Sequence, residues 1–589
     1  MEIEVVVIIL IVIAVIVISS LIKKLKRNRK IKDELINEWG KQPVEKYTSD
    51  EISNISTFFK NVKKSDPTIH YIDDITWNDL DMDKVYMRIN NTQSTVGEEY
   101  LYYLLRQPVL EDTKLLERER LIRFFQENPK QRLALQFVLA KLGKRKYTLI
   151  SDYLFNEEKR VPVKGMLYMA LAIALLLSPL ALAVNVPAGI MLIIGIMITN
   201  TTIYYKARNE ISSHLDSLSY IVNMISCGKN ISRLDIPEIE EYKIKLDSMY
   251  KKTKTFTVKS FYTLFYRTED PFLEYIKVVF LGELIAFESL LKVIYRHRMY
   301  LKEIYCNIGL LDSLIAVASY RESLNYWTEP ELYNLDEQLY NILNGTLDTA
   351  LNKDAFLSKN SSNNSRVILE FEEIYHPLIE QPVANSARLS KPVLITGSNA
   401  SGKSTFLKTI GINAILSQTI HTSLAKKYRS PYFLIYTSMA LKDNLDNKES
   451  YYIAEIKSLK RIFDSINENI PCLSLIDEVL RGTNTVERIA ASSEVLYNLA
   501  NINCLCVAAT HDIELSSILG YYYDNYHFQE SFSGDDITFD YKLYPGRSNT
   551  RNAIKLLKIM GYEDNIVQAA EKRALKFIEE GKWTNIDDR

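Results

Sequence analysis

The chain has 589 residues, enough for about three or four domains. Its hydrophobic content of 47% and charged content of 25% are ordinary for a globular protein. A formal net charge of −1 excludes a protein-wide basic field, so any contact with nucleic acid must come from local patches. The five cysteines form no C-x-x-C pair, which favours a reducing compartment, and we interpret Cys504 and Cys506 as core residues rather than metal ligands.

The first predicted element is an apolar segment, residues 5–22, which is just long enough to cross a bilayer. Six positive charges follow it within residues 23–30, which predicts that this flank is cytoplasmic and that the N-terminus lies outside. A cleaved signal peptide is the rival interpretation. It is disfavoured because the basic run comes after the apolar segment and no small-x-small cleavage site follows.

A second apolar block, residues 165–205, is interrupted near its middle by Asn185 and Pro187. Each half, 165–184 and 188–205, is long enough for one span. Lysine and arginine on both flanks predict a hairpin with both ends in the cytoplasm, and hence a multi-pass protein of the cell membrane. The rival is a buried hairpin of a soluble core, which about forty residues without a charge disfavour.

The remaining sequence changes character once along the chain. Residues 31–162 and 207–345 carry helical periodicities, and 278–294 is predicted to be a soluble helix because it contains Glu283 and Glu288. From about residue 366 onward, short apolar runs alternate with helical patterns. That alternation predicts an α/β domain built on a mainly parallel sheet.

A complete G-x-x-x-x-G-K-[ST] phosphate loop opens this α/β domain. An apolar strand precedes it and a helix beginning at Thr405 follows it, which is the setting that the motif requires. Backbone N–H groups of such a loop cradle phosphate oxygens, while Lys403 would reach the β- and γ-phosphates of ATP and Ser404 would hold Mg2+. The loop residues are Gly397, Ser398, Asn399, Ala400, Ser401, Gly402, Lys403 and Ser404.

Two later strand ends supply the other groups that ATP hydrolysis needs. An apolar run ends in Asp477 and Glu478, which suit metal binding and the polarising of the attacking water. Another ends in His511, which could contact the γ-phosphate or that water, although a lone histidine is more often structural. Residues 481–485 predict a loop at a subunit contact. By composition alone, Ser450 is only a helix N-cap.

These motifs together resemble the MutS family, the ATPases of DNA mismatch repair. Residues 396–405 are similar to its phosphate loop, with Ser-Asn-Ala-Ser where the family usually has Pro-Asn-Met-Gly. Residues 477–485 match its Asp-Glu-x-x-Arg-Gly-Thr-x-Thr segment, and 509–515 match its Ala-Thr-His-x-x-Glu-Leu. Residues 450–455 match its Ser-x-Phe-x-x-Glu, with Tyr452 for Phe. The resemblance extends over about residues 70 to 580.

The resemblance implies further site residues and a partner. Tyr375 and His376 fall in an element that lies near the adenine in the family, where Tyr375 replaces an arginine and can stack on a base. Ser450 would reach the partner's nucleotide in a homodimer. The implied cofactors are ATP and Mg2+, with Lys403, Glu478 and His511 catalytic and with Ser404 and Asp477 on the metal. Double-stranded DNA is an implied partner.

The resemblance and the apolar segments together predict the fold class and the order of segments. We expect an ABC-like α/β P-loop ATPase domain with a mainly parallel sheet after an all-α core and lever domain, with three transmembrane helices. The expected segments are a membrane anchor with its basic flank (1–30), a linker (31–70), the first part of the core (71–162) and the transmembrane hairpin (163–206). The second part of the core with the lever (207–350), a polar loop (351–365) and the ATPase domain (366–589) follow.

Departures from the family pattern keep several functions open. Membrane anchor and linker stand where mismatch-repair members carry mismatch-binding and connector domains, and the DNA clamp insertion is missing from the pattern. One hypothesis is therefore a membrane-anchored ATPase of DNA repair or recombination. The alternative is a non-DNA ATPase that drives a partner-protein or membrane event. A transporter ATPase is a third and weaker hypothesis, because three spans with short loops offer little translocation path.

Overall fold

The structure is a computed structural model that describes residues 2–43, 46–156, 165–259, 271–335, 367–398, 401–439, 451–533, 536–547, 554, 557, 559–583 and 586. The chain divides into two compact units. The first comprises Met1–Tyr71, Tyr86–Gln107 and Glu117–Leu324, and the second Ile72–Val85, Pro108–Leu116 and Asn325–Arg589.

Helices account for the regular structure described up to residue 324. In chain order they are α1 Glu2–Glu38, α2 Ser49–Ile55, α3 Thr57–Ser65, α4 Asp74–Asp79, α5 Met82–Ile89, α6 Thr95–Arg106, α7 Asp112–Glu127, α8 Pro129–Leu142, α9 Ile150–Phe155, α10 Gly165–Leu177, α11 Val186–Ser232, α12 Glu240–Lys259, α13 Pro271–Val279 and α14 Gly282–Glu322. Two 3-10 turns, Ser178–Ala183 and Pro237–Ile239, lie between them. The predicted linker 31–70 thus contains α2 and α3.

The core of the first unit forms where α6 packs against α14. Ser94 caps α6 by accepting a hydrogen bond from Gly97 N, and the buried Asp312 of α14 accepts from the backbone N–H of both Gln93 and Ser94. This carboxylate satisfies N–H groups that the helix start leaves without an intrahelical partner. Polar contacts inside an apolar core therefore set how the two helices meet.

The predicted hairpin forms two helical segments in the first unit. Among the described residues, two stretches are long and apolar enough to cross a bilayer, Gly165–Ala183 and Val186–Arg208. The prediction of three transmembrane helices is not supported. Residues 5–22 instead belong to the longer α1, and most of their side chains lie outside the described part of the structure.

The second unit contains the α/β fold that the sequence predicts after the helical region. Its strands are β1 Glu331–Tyr333, β2 Leu369–Ile374, β3 Asn385–Leu389, β4 Val393–Thr396, β5 Lys427–Pro431, β6 Leu434–Ser438, β7 Cys472–Asp477, β8 Cys504–Ala509, β9 Asp524–His527, β10 Glu530–Ser533, β11 Asp536–Phe539 and β12 Tyr544–Pro545. Its later helices are α15 Lys403–Ile420, α16 Tyr451–Ser465, α17 Thr485–Ala500, α18 Ile513–Ile518 and α19 Asp564–Glu580. The predicted polar loop 351–365 lies outside the described residues.

A six-stranded sheet in the order β12-β9-β4-β8-β7-β6 organises this unit. Its central strands pair in parallel, Leu394 beside Ala508 and Leu475 beside Val507. Every residue of β4, β7 and β8 is buried, as expected of parallel strands covered on both faces. Helix α4 also belongs to this unit, where Asp79 accepts hydrogen bonds from Thr437 Oγ1 and Met439 N.

Candidate active site

The phosphate loop leaves the sheet at β4 and enters α15. Gly397 has φ +149° and Gly402 has φ +106°, conformations that side chains with a Cβ rarely adopt. A Cβ on Gly397 would also come 2.8 Å from the carbonyl oxygen of Phe528. These two glycines therefore allow the turn. Asn399 and Ala400, which the sequence places at the top of the loop, lie outside the described residues.

Lys403 folds back over the loop that precedes it. Its Nζ donates to the carbonyl oxygens of Gly397, at 2.8 Å, and Ser398, at 2.7 Å. Burial lowers the pKa of Lys403 to about 8, although the carboxylates of Asp477 and Glu478 oppose that shift. The ammonium thus contacts loop carbonyls at the position where the motif expects it to meet phosphate.

Glu478 lies directly after β7, with its backbone held in an uncommon conformation. Its φ is +58° and its N–H donates to the carbonyl of Ala509 at 2.8 Å. Left-handed backbone at a residue other than glycine is costly and clusters at functional sites. A hydrogen bond from His511 and the positive charge of Arg481 lower the pKa of the Glu478 carboxyl, so it is ionised at neutral pH.

His511 follows β8 and lies close to both Lys403 and Glu478. Its Nε2 lies 3.0 Å from Glu478 Oε1 and 3.3 Å from Lys403 Nζ. The next residue, Asp512, forms an ion pair with Arg488 of α17 at 2.6 Å, which anchors the start of the loop. Because β4, β8 and β7 are parallel neighbours, their C-terminal ends meet at one edge of the sheet. The structure therefore brings Lys403, Glu478 and His511 together.

A cavity of about 470 Å³ opens beside this cluster. Lys403, Ser404, Thr405, Glu478 and His511 line its polar side, with Ser401 and Gly402 beside them. Apolar side chains form the other wall, among them Ile379, Pro382, Val383 and Phe528. A mostly apolar cleft with a few convergent polar groups is the usual form of a nucleotide-sized site.

The two residues predicted to lie near the adenine, Tyr375 and His376, differ in their position relative to the cavity. His376 lines the cavity, and burial lowers its pKa to about 4, so it is neutral at physiological pH. Tyr375 is buried outside the cavity lining, where its hydroxyl donates to the carbonyl of Tyr326 at 2.8 Å. Tyr541 is the tyrosine that does line the cavity, and its ring lies beside Gly402.

Sequence reasoning missed Tyr541 and the residue that positions it. Asn385 of β3 donates from Nδ2 to the carbonyl of Tyr541 at 3.0 Å and accepts from Leu543 N at 2.8 Å. This amide holds the loop of residues 541–543 beside the cavity. Nothing in the local sequence signals the pairing, because the two segments are more than a hundred residues apart.

A residue of β10 also contacts the phosphate loop. Ser398 Oγ donates to Glu530 Oε2 of β10 at 2.7 Å, so a carboxylate lies next to a predicted phosphate-binding residue. Ser450, predicted to act across a dimer, lies outside the described residues.

The donor chemistry fits a hard cation. Ser404 contributes a cavity-lining hydroxyl, and Asp477, at the end of β7, contributes a carboxylate close enough to act on Lys403. Mg2+ prefers such oxygen ligands together with water and substrate phosphate. These two residues are the ones that could hold it here.

Comparison with known proteins matches this region to a described family. The model of MutS domain V matches residues 393–578, from β4 into α19. The chain is 25% identical over 502 residues to MutS protein homolog 4 of Mus musculus, covering 80% of this chain and 50% of that one. The human MutS protein homolog 4 is 24% identical over 525 residues, 84% of this chain and 54% of that one.

A bacterial relative is similar over a shorter stretch. DNA mismatch repair protein MutS of Rickettsia bellii (strain RML369-C) is 28% identical over 309 residues, 51% of this chain and 32% of that protein. The chain thus spans about half the length, or less, of these curated relatives. The domain V match and these alignments together support membership of the MutS family.

Proposed function

We propose that this protein is a MutS-like ATPase that binds and hydrolyses ATP as a homodimer at a membrane. The observation that carries the ATPase proposal is the convergence of Lys403, Glu478 and His511 beside the phosphate loop, with Nε2 of His511 within 3.3 Å of both other side chains. A lysine for the phosphates and a residue that orients the attacking water are groups that enzymes use to transfer a phosphoryl group, and here His511 contacts both of them.

Each residue takes a role that follows from its contacts. Lys403 exchanges its two loop carbonyls for the β- and γ-phosphates of ATP. Ionised Glu478 accepts a hydrogen bond from the attacking water and draws its proton away. His511 contacts Glu478 Oε1, and its contact with the terminal phosphate couples the presence of that phosphate to the loop after β8. Mg2+, bound by Ser404 and Asp477, would neutralise phosphate charge.

The test is Glu478→Gln, which keeps the shape of the side chain and removes its basicity. We expect ATP binding to persist while turnover falls at least about 100-fold. Fluorescent-nucleotide titration and phosphate release measure the two quantities separately. Glu494→Gln, an exposed position on α17, is the matched control and keeps full turnover. Unchanged turnover in Glu478→Gln would overturn the role given to that residue.

The membrane part of the proposal rests on exposed apolar surface. Only 17% and 11% of the most apolar windows of Gly165–Ala183 and Val186–Arg208 are buried, whereas the core helix of a soluble protein is mostly buried. Exposed side chains include Met191, at 78%, and Leu180, at 69%. Alkaline carbonate extraction of cell membranes tests it: the chain stays in the pellet if the hairpin is inserted, and recovery in the supernatant argues against insertion.

The link to DNA rests on the relatives, one of which is named a DNA mismatch repair protein. We propose duplex DNA as the partner, and the alternative is an ATPase that acts on a partner protein or the membrane. Binding of the full chain in detergent to matched and mismatched duplexes at low salt separates them, because phosphate contacts are strongest there. Failure to bind either duplex favours the alternative, and stimulation of ATPase by the mismatched duplex alone favours repair.

A further inference from the structure

Helix α1 of the first unit carries a group of exposed cations, here called the basic run, which consists of Lys23, Lys24, Lys26 and Arg27. Residues 5–32 contain no aspartate or glutamate. Side chains on a helix surface meet those three or four positions away. Within α1, the basic run therefore has no carboxylate to neutralise it.

The helix that packs beside this part of α1 adds further positive charge. Nζ of Lys141 in α8 lies 3.9 Å from the centroid of the Phe137 ring, and Nζ of Lys32 in α1 lies 5.1 Å from the same centroid. Burial lowers the pKa of Lys141, and the positive charges of Lys24 and Arg27 lower it further. Helix α8 therefore increases the local positive charge instead of neutralising it.

Contacts between the two helices also fix their relative direction. Cζ of Arg132, near the start of α8, lies 3.4 Å from the centroid of the Trp39 ring, just after α1. Phe137, further along α8, lies near Lys32, which comes earlier in α1. The two helices are therefore antiparallel, and the basic run lies toward the C-terminal end of α8.

Helix α8 is antiparallel to α11 as well. The carbonyl of Gly143 accepts a hydrogen bond from Tyr220 Oη at 3.1 Å, whereas Val138, earlier in α8, meets Sγ of Cys227, later in α11, at 3.9 Å. Helices α1 and α11 thus run in the same direction. The basic run accordingly lies toward the end of α11 that carries the apolar stretch Val186–Arg208.

Apolar side chains are interleaved with these cations. Leu21, Ile22 and Leu25 are 53%, 49% and 67% exposed. Duplex DNA offers such a surface its phosphates and sugars, whereas the boundary of a bilayer offers phosphate and acyl chains together. The mixture of exposed leucine, isoleucine and lysine therefore favours a lipid surface over a nucleic acid.

We infer that the basic run of α1 binds the phosphates of anionic phospholipids, in the leaflet from which α11 emerges. Leu21, Ile22 and Leu25 contact the acyl chains, while the long side chains of the cations extend to the headgroups. Cations beside a membrane-inserted segment are attracted to an anionic leaflet in this way. The inference rests on the proposed insertion of the hairpin and adds the class of lipid that the protein selects.

Electron paramagnetic resonance on the full chain, reconstituted into phosphatidylcholine vesicles, tests the inference. Trace phosphatidylglycerol or phosphatidylcholine, spin-labelled on the same acyl chain, reports how strongly the protein retains each headgroup. We expect the wild type to retain phosphatidylglycerol at least about two-fold more strongly. At least about half of this preference should disappear in the variant that combines Lys23→Gln, Lys24→Gln, Lys26→Gln and Arg27→Gln.

The matched control removes four cations near the start of α8 and the end of α11, and it should keep the wild-type preference. It combines Lys130→Gln, Arg233→Gln, Lys243→Gln and Lys245→Gln. Unchanged retention of phosphatidylcholine shows that a variant is still folded and inserted. A preference that survives loss of the basic run, or falls equally in the control, overturns the inference.

Two further outcomes would also count against it. If the basic-run variant loses binding to duplex DNA and keeps the lipid preference, the run contacts nucleic acid instead. If the wild type retains neither spin-labelled lipid, the proposed insertion of the hairpin fails, and this inference fails with it. Retention of both lipids without a preference overturns the inference alone and leaves the proposed insertion standing.

Discussion

Nζ of Lys403 lies 3.3 Å from Nε2 of His511, so the residue that ends the phosphate loop and the residue that follows β8 are in direct contact. Together with the two loop carbonyls, His511 gives the ammonium three polar neighbours in a buried setting. ATP must take the ammonium from these neighbours, and the phosphates replace them with stronger charge-assisted bonds.

Replacing Lys403 by alanine should abolish this exchange. We expect ATP affinity to fall at least about 100-fold, because the chief cation of the loop is lost. Lys391→Ala, at an exposed position just before β4, should bind ATP as the wild type does. Isothermal titration measures both. An affinity for Lys403→Ala within about three-fold of the control would contradict the assignment.

His511→Gln should separate binding from turnover. The amide can still fill space beside Glu478, but it cannot carry the charge that the imidazole can, so we expect turnover to drop about 10- to 100-fold with ATP affinity little changed. Steady-state rates and equilibrium binding on one preparation decide it. A variant that loses affinity but keeps the wild-type turnover at saturating ATP would place His511 in binding alone.

The two tyrosines near the cavity should respond in opposite ways. Tyr541 lines the cavity, and removing its ring in Tyr541→Ala is expected to weaken ATP binding about five- to ten-fold through loss of a stacking surface. Tyr541→Phe should keep the affinity. Tyr375→Phe loses only the hydroxyl bond to Tyr326 and should bind ATP normally. Unchanged ATP affinity in Tyr541→Ala would contradict the assignment of this ring to the nucleotide.

Glu99 of α6 predicts a pH dependence of stability in the first unit. Burial raises the pKa of Glu99 to about 8, and its carboxyl accepts hydrogen bonds from Tyr305 and Thr148. Between the ordinary value of 4.5 and about 8, unfolding releases this proton, so stability falls as pH rises, by at most about 1.4 kcal/mol per unit.

Glu99→Gln should remove that slope, because the amide stays neutral: its oxygen can accept from one of the two hydroxyls, and its NH2 can donate to the oxygen of the other. Thermal unfolding of the detergent-solubilised chain at about pH 5, 6.5 and 8 measures it, with Glu303→Gln on exposed α14 surface as the matched control. We expect the control to keep the wild-type slope. A slope in Glu99→Gln equal to that of the wild type would mean that Glu99 is ionised in the folded protein.

Local sequence signals predicted the residues that cluster at the edge of the sheet, but they did not predict all the residues that line the cavity. Lys403, Glu478 and His511 each follow a buried parallel strand or a loop of defined spacing, and parallel strands bring such ends to one edge. Tyr541 depends on a pairing with Asn385 that no periodicity encodes. The left-handed backbone of Glu478 is likewise not predicted by its residue type, because glutamate rarely adopts it.

In the helical region, too, local sequence patterns predicted some features, while others depend on contacts between distant residues. Hydropathy predicted both halves of the hairpin, because about forty uncharged residues leave few alternatives. It could not predict that residues 72–85 join the α/β unit, since that depends on Asp79 meeting Thr437 and Met439 across more than three hundred residues. The predicted count of three spans exceeds the two candidate spans found among the described residues.

Helix α11 runs without interruption from Val186 to Ser232, 47 residues, or about 70 Å at about 1.5 Å per residue. A bilayer core of about 30 Å takes up less than half of that length. If the first half is inserted, the remaining helix, about 40 Å long, extends beyond the bilayer and packs on α8 and α12. Tilting this part by about 5° displaces its far end by about 3.5 Å. If the helices that pack on the C-terminal half of α11 rearrange, the uninterrupted helix would therefore transmit the movement to its inserted half.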